Sequence, residues 1–303
     1  MLKVGSARDL EHRSTMGWLG KRLGGCSRRK FGARTAGAYY GAWMSREQLR
    51  QTFSEDAELY DRVRPDYPPR LYDDLGELLG VAAPRVLEIG LGTGQATRPM
   101  VQRGWSVSAV ELGAELAEVA RRNLPTVDVT VADFDTWELP GPTYDLVLSA
   151  TAFHWLDPGT RVRRCAQVLR PGGVLAIVST HHVAGGSEQF FVDVQRCYER
   201  FTDDPAKGEL PAASAVSEDS AEIDATGLFG PVTFHRYEWE VVYSAAEYIE
   251  LLSSYSGHRA LTADRRDGLY DCVRALINGG GGTVTKRYLT QLSAAVSLNQ
   301  PLA

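Results

Sequence analysis

Three glycines at alternating positions, Gly90, Gly92 and Gly94, follow directly on an apolar run in the stretch "RVLEIGLGTGQATRP". Glycine is needed where a chain turns sharply or where backbone must approach a ligand closely. Three of them after an apolar run point to a ligand-holding turn rather than a plain strand–helix corner. A dinucleotide turn would read G-x-G-x-x-G, with a pyrophosphate on the helix N-terminus. Here the spacing is G-x-G-x-G, and Gln95 stands where the last glycine would fall. Glu88, two residues before the first glycine, is ill-placed beside a pyrophosphate and suits a cationic ligand, such as one with an α-ammonium and a sulfonium. Glu111 ends a second apolar run, "VSAVEL", 21 positions after Gly90. A carboxylate there accepts hydrogen bonds from both hydroxyls of a ribose, a device that nicotinamide folds share. Asp133-Phe134, after a third run, offers an acceptor and a flat ring that suit an adenine; the competing reading is a loop Asp and a core Phe.

These residues must be positioned by a strict alternation of strands and helices. "SREQLRQTFSEDAELYDRVRP" reads as a helix ending near Pro65, and "YPPRLYDDLGELLG" as a second, with prolines at its start and Gly80 as its stop. "RVLEIG", "VSAVEL", "VDVTVAD", "YDLVLSA" and "VLAIVST" read as five buried strands. Between them, "AELAEVARRN" and "GTRVRRCAQVLRPGG" read as helices, the latter closed by Pro-Gly-Gly; Pro99 places the start of the helix after the glycine turn near Thr97. Strands separated by single helices require a parallel sheet with right-handed crossovers, and uniformly apolar strands fit a sheet covered on both faces. The fold class is therefore α/β: a doubly wound, mostly parallel, Rossmann-like sheet, with its ligand at the carboxyl ends of the strands. The alternation stops near Thr180. "VTFHRYEWEVVYS" then reads as an antiparallel strand or a hairpin, "AAEYIELLSSYS" and "DRRDGLYDCVRALI" as helices, and "VTKRYLTQLSAAV" as a last strand. Cap insertions are expected over about 181–230 and 244–282, within one domain spanning 45–303.

The first 44 residues carry nine Lys/Arg against two Asp/Glu, while the remainder carries 24 against 36. So acidic a body is a poor non-specific partner for nucleic acid. The basic, glycine-rich head fits an organellar transit segment, a binding tail, or sequence ahead of a true start at Met44. The last is favoured, because Ser45 and Gln48 form a capping-box pattern directly after Met44. The head is expected to be disordered. No apolar run reaches membrane-spanning length. The four cysteines, Cys26, Cys165, Cys197 and Cys272, are scattered without a CxxC pair, so neither a metal site nor a disulfide framework is expected. A reducing compartment, the cytoplasm, is the simpler reading.

The stretches "VLEIGLGTG", "VSAVEL", "VADF", "YDLVLSATAFHWLD" and "VLRPGGVLAIV" stand in the order and spacing of a class I S-adenosylmethionine-dependent methyltransferase. With "YDRVRPDYP" upstream and "AFHWLD" after the fourth strand, the chain resembles the trans-aconitate methyltransferase-like, small-molecule branch. The resemblance covers Gln51 to Thr180 well and thins from His181 onward. It implies a seven-stranded sheet and S-adenosylmethionine as cofactor. Gly90, Gly92 and Gly94 would pass under its methionine and ribose, and Glu88 would face its amino group. Glu111 would bind the ribose hydroxyls and Leu112 would pack on the adenine. Asp133 would take the adenine amine, and Phe134 would offer ring or backbone contact. Thr151 and Phe153 would line the floor by the sulfur, and Tyr60 and Arg64 would close over the cofactor. Arg64 has a second reading, a surface pair with Asp61 or Asp66.

Methyl transfer is an in-line displacement in which the protein supplies orientation and desolvation. A carboxylate acceptor needs no base; a phenol, hydroxyl or acidic carbon does. His154, after strand four, is the candidate for acid–base chemistry or substrate contact; the alternative is that His154 and Trp155 pack against the next helix. Trp155, His181, Tyr255 and His258 are the candidates for substrate contact. His181 and His182 are adjacent on extended chain, so at most one faces the pocket. No metal is expected. The partner is a small-molecule acceptor, with no nucleic acid and no membrane. Two rivals stand beside this reading: a non-catalytic S-adenosylmethionine-binding protein, and a nicotinamide-dependent oxidoreductase, against which the glycine spacing and Glu88 argue.

Overall fold

The computed structural model of the chain describes residues 56–203 and 209–298. The basic head, Met44, the Ser45–Gln48 pattern and the first part of the upstream helix lie outside the described residues. The rest of that helix is α1, Ala57–Val63, capped by Asp56, whose carboxylate accepts from the Leu59 N–H. Helix α2, Pro69–Leu79, buries Leu71, Tyr72 and Leu75 and stops at Gly80, which takes the left-handed conformation a helix end favours.

The expected alternation follows: β1 Arg85–Ile89, α3 Thr97–Gln102, β2 Ser106–Glu111, α4 Ala114–Asn123, β3 Asp128–Val131, β4 Tyr144–Ala150, α5 Arg161–Val168 and β5 Leu169–Gly186. Helix α3 begins at Thr97 because Pro99, which has no N–H to donate, is tolerated only in a first turn. After β5 come α6 Glu188–Asp193, α7 Gln195–Phe201, α8 Ala221–Asp224, β6 Thr233–Ser244, α9 Ala245–Ser253, α10 Ser256–Arg259, α11 Ala263–Gly279 and β7 Thr283–Val296. The seven strands form one sheet in the order β3-β2-β1-β4-β5-β7-β6. The first five pair in parallel, and β7 runs antiparallel between β5 and β6. The order reverses between β1 and β4, and that switch point is where ligands of such sheets sit.

Every residue of β4 is buried. One apolar layer on the sheet gathers Leu71, Tyr72, Leu75 and Met100; the other gathers Val162, Cys165, Val168 and Phe153. A third cluster lies in the insertions, where α6, α7, α9 and α11 contribute Phe191, Cys197, Leu252, Leu269 and Val273. Helix α9 opens with a capping box between Ser244 and Glu247.

Two expectations change. First, the strand expected as "VLAIVST" is 18 residues long. Tyr144 pairs with Leu169, then the register shifts, and Leu146 pairs with Val174, so the Pro-Gly-Gly segment is an irregularity within the strand rather than the end of a helix. Beyond Val178 the strand leaves β4 behind and continues on β7 alone as far as Gly186. With one neighbour and a thinner cover it no longer needs uniformly apolar residues, which is why the pattern loosens at His181. Second, Cys197 on α7 and Cys272 on α11 form a disulfide, with Cα atoms 5.8 Å apart. A separation of 75 residues hides such a pair from any spacing rule. The cysteine argument for a reducing compartment falls with it. Cys165 is free and buried. Among the described residues no helix is long and apolar enough to cross a membrane.

Candidate functional site

The glycine turn lies at the switch point. Gly90, Gly92 and Gly94 all have positive φ, at 73°, 60° and 101°. A Cβ on Gly90 would stand 2.6 Å from the Ala152 Cβ, just past β4, and one on Gly94 would stand 2.5 Å from Leu124 Cδ1. Those two are glycine because the neighbouring chain is too close for a side chain. Gly92 differs. Its nearest neighbour would be the Tyr60 ring at 3.5 Å, an ordinary contact, so this glycine keeps a cradle open beneath Tyr60.

Two carboxylates frame the turn. Glu111 is buried, and its two oxygens accept the N–H groups of Gly92 at 2.9 Å and Gly113 at 2.8 Å. It thereby ties the end of β2 to the turn after β1. Glu88 is 1% exposed and accepts from Thr97 Oγ1 at 2.6 Å. Burial pushes its carboxyl up to about 7; the Thr97 bond opposes this and the nearby Glu111 adds to it. Leu112, next to Glu111, is 37% exposed, so its side chain is open to a flat ligand.

Thr151 ends β4 with φ 54°, the sole described non-glycine residue with positive φ. A β-branched residue rarely holds that conformation, and such strain concentrates at functional sites. It is fixed by its N–H to Val178 O at 2.8 Å and by a 2.6 Å bond between its hydroxyl and that of Tyr67. Tyr67 was not among the expected site residues, although it lies in the quoted motif "YDRVRPDYP".

The adenine side is partly corrected. Asp133 accepts from the Asp135 N–H at 3.0 Å and shapes the turn after β3. The Phe134 ring is 2% exposed, in the core, with the Arg164 guanidinium over it, and its carbonyl accepts from Arg164. The ring thus packs as the competing reading, a core Phe, expects. Phe153 is likewise in the core under Arg161, which also bonds its carbonyl, and it supports the floor from below. His154 and Trp155 complete a single 3-10 turn and pack ring on ring, 4.7 Å apart.

The other candidates lie toward the cap. Arg64 turns inward rather than pairing with Asp61 or Asp66. Its guanidinium lies between the rings of Tyr60 and Tyr255, at 4.8 and 4.6 Å, and donates to Ser254 O at 2.9 Å. Helix α1 is thereby locked to the end of α9, and Tyr255 is brought to the same side as the glycine turn. The two histidines of β5 point apart, as extended backbone requires. His181 bonds Ser179 at 2.9 Å; burial, aided by the charge of Arg236, lowers its pKa. It is His182, not His181, that packs in the cap, edge-on to Phe191 and beside Tyr288. Burial and the Lys286 charge hold His182 down at about 2, so it is neutral. His258 bonds Leu252 O at 2.8 Å and lies against Tyr198 and Tyr270, which makes it a brace of the cap rather than a group turned to the strand ends.

One group was missed altogether. Lys286 is 6% exposed, and its Nζ stands 3.2 Å from the Tyr255 hydroxyl. Its signal was available: Val284, Lys286 and Tyr288 alternate along β7 and share its buried face. A lysine on the inward side of such a stripe is exceptional.

Residues 87–177 match the family model described as a methyltransferase domain. An uncharacterized methyltransferase of Mycobacterium bovis is 40% identical over 134 residues, covering 44% of this chain and 54% of that protein. A trans-aconitate 2-methyltransferase of Azoarcus sp. is 30% identical over 165 residues, covering 53% of this chain and 61% of the relative. The chain thus spans little more than half the length of these curated relatives. Among solved structures, a proposed type II methyltransferase from Anaeromyxobacter dehalogenans aligns with a TM-score of 0.54 at 22% identity, over 78% of this chain and 99% of that one. That likeness is one of fold.

Proposed function

We propose that this chain, which carries a domain of the methyltransferase family, binds S-adenosylmethionine at the glycine turn and transfers its methyl group to a small-molecule acceptor. The observation that carries the reading is the cradle at Gly92: a position without a side chain, open toward Tyr60, whose N–H is held by a buried carboxylate that itself ends β2. The residues present fit the cofactor. Each Glu111 oxygen accepts one backbone N–H, and a carboxylate oxygen has capacity for a second donor, here a ribose hydroxyl. Glu88 lies beneath the turn as a buried acid that a cationic group would ionise. Leu112 offers an exposed apolar face for the adenine and Asp133 an acceptor for its amine. Tyr60 and Arg64 form the cover. Thr151, held in its unusual conformation by Tyr67, shapes the floor.

When bound, the cofactor supplies an activated methyl group; the chain's own residues orient the acceptor and keep water out. The acceptor is expected past the carboxyl ends of β4 and β5, with His154 and Trp155 following β4 and Tyr255 reaching the same side through Arg64 and Tyr60. A nicotinamide cofactor is disfavoured by the methyltransferase-domain match and by Glu88 under the turn.

Calorimetric titration of the full chain with S-adenosylmethionine, its demethylated product and NAD tests this directly. Saturable binding of the first two and none of NAD is expected. Gly92→Arg should abolish that binding; its left-handed backbone costs about 1–2 kcal/mol with any side chain, but no neighbour blocks the position, and circular dichroism should show the variant still folded. NAD binding alone, or undiminished S-adenosylmethionine binding in Gly92→Arg, would sink the site as drawn.

A further inference from the structure

Lys286 is buried with no carboxylate within ion-pair distance among the described residues. A buried charge is costly unless it is paired. Its Nζ lies over the rings of Tyr288 and Tyr255, at 4.8 and 5.5 Å, and those contacts offset part of the cost. They bring no countercharge. Among the described residues, Nζ hydrogen-bonds the Tyr255 hydroxyl at 3.2 Å. Arg64 brings a second cation onto the same tyrosine ring, at 4.6 Å. The other titratable groups around the pair are His182 on β5, Tyr243 on β6, Tyr288 on β7, Tyr248 on α9 and His258 on α10, and none of them is a carboxylate. Tyr255 is thus the group best placed to become the countercharge of Lys286.

We infer that Tyr255, held by Lys286 and Arg64, takes the proton of the acceptor, and that the acceptor is therefore protic: a phenol, a hydroxyl or an acidic carbon. Its place in the fold agrees. Arg64 links Tyr255 to Tyr60, and Tyr60 is the ring above Gly92. Lys286 pairs across the sheet with Gly186, eight residues beyond Val178, the last residue of β5 to pair with β4, so the pair lies past the carboxyl ends of the parallel strands, the end at which the glycine turn lies. Electrostatics agree as well. Burial alone would push the Tyr255 hydroxyl up, but the Lys286 and Arg64 charges outweigh it and hold its pKa below the ordinary tyrosine value. In the step, Tyr255 begins as the phenolate paired with Lys286, and the acceptor's proton moves to its Oη as the acceptor's electron pair forms the bond to the methyl carbon. The pair of the broken carbon–sulfur bond stays on sulfur, and Tyr255 later returns its proton to solvent. His154, paired with Trp155 in its 3-10 turn, is then not required as the base.

This inference rests on the methyl-transfer reading for its consequence but not for its test. The full chain is titrated by ultraviolet difference spectroscopy from about pH 6 to about pH 11, following the phenolate band. Wild type should show one tyrosine ionising below the ordinary value of about 10. Tyr255→Phe should lack it, Lys286→Gln should shift it upward, and Lys286→Arg should retain it. Circular dichroism identifies any variant that fails to fold, and the wild-type against Lys286→Gln difference alone then decides. Absence of an early phenolate in wild type, or an early phenolate that Lys286→Gln leaves in place, would overturn the inference and leave an anion on the acceptor as the partner of Lys286. Failure of S-adenosylmethionine to bind would instead overturn the proposed function and leave the phenolate result standing. With a protic acceptor in hand, Tyr255→Phe should lower kcat about a hundredfold with little change in KM.

Discussion

The glycine turn after β1 and the cap beyond the carboxyl end of β5 are held by different forces. The turn is made of backbone. Three residues of positive φ, two of them glycine for want of space, are fixed by a carboxylate that accepts backbone N–H groups. Its members lie within about two dozen positions of sequence, between Glu88 and Gly113. The cap is made of side chains from distant places. Arg64, Tyr255 and Lys286 come from three segments, and Cys197 is tied to Cys272 across 75 residues. A turn of the first kind has a single geometry and suits a cofactor that does not vary. A cap of the second kind is free to change residue by residue, and under the proposed function that suits the part of the site that meets the acceptor.

The largest separation between the two regions should come from the disulfide. Replacing both cysteines, Cys197→Ser and Cys272→Ser, should cost about 4 kcal/mol, the loop-closure entropy of so long a loop. Denaturant unfolding with and without a thiol reductant reads this. Hydrogen exchange should rise in α7 and α11 and stay unchanged in β1 and β2. Equal loss of protection in both would mean that turn and cap unfold as one unit.

A smaller effect is expected from the turn. Gly90→Ala forces a left-handed alanine and places its Cβ against Ala152, at a cost of about 3 kcal/mol. The same measurement should now show the converse pattern, with β1 and β4 loosened and the disulfide-linked helices intact.

The smallest is a pH effect confined to Glu88. Its folded-state pKa, about 7, lies above the ordinary 4.5. The folded protein therefore holds the proton more tightly than the unfolded chain. The stability this supplies is full below about pH 4.5 and declines as pH rises toward 7, by roughly 2–3 kcal/mol. Glu88→Gln should flatten that slope in unfolding curves taken between about pH 5 and about pH 7.5. A slope unchanged in the variant would place the titration elsewhere, and the cap would be the first place to look.

The contrast also explains what could be read in advance. The strands, the α3 start at Thr97, the glycine turn and Glu111 were legible because each follows from neighbours in sequence: apolar runs, a proline, a glycine spacing. Phe134 was misread in part because an aromatic after a strand looks the same whether its ring faces a ligand or, as here, the core beneath Arg164. His181 was chosen over His182 because alternation says that two adjacent residues part, and not which one goes inward. Lys286 was passed over because a lysine near the chain's end reads as surface until β7 is seen to lie between β5 and β6.

The sequence alone determined the doubly wound sheet, the position of its ligand turn and the two acids that frame it. Periodicity and backbone chemistry act over a few residues, and the chain order fixes the crossovers. Only the tertiary structure decided the disulfide, the inward turn of Arg64 and the meeting of Lys286 with Tyr255. Those contacts join residues up to 191 positions apart, from Arg64 to Tyr255. Nothing local encodes them; they exist because antiparallel β7 carries a buried lysine back over the strand ends and the cap closes a tyrosine onto it.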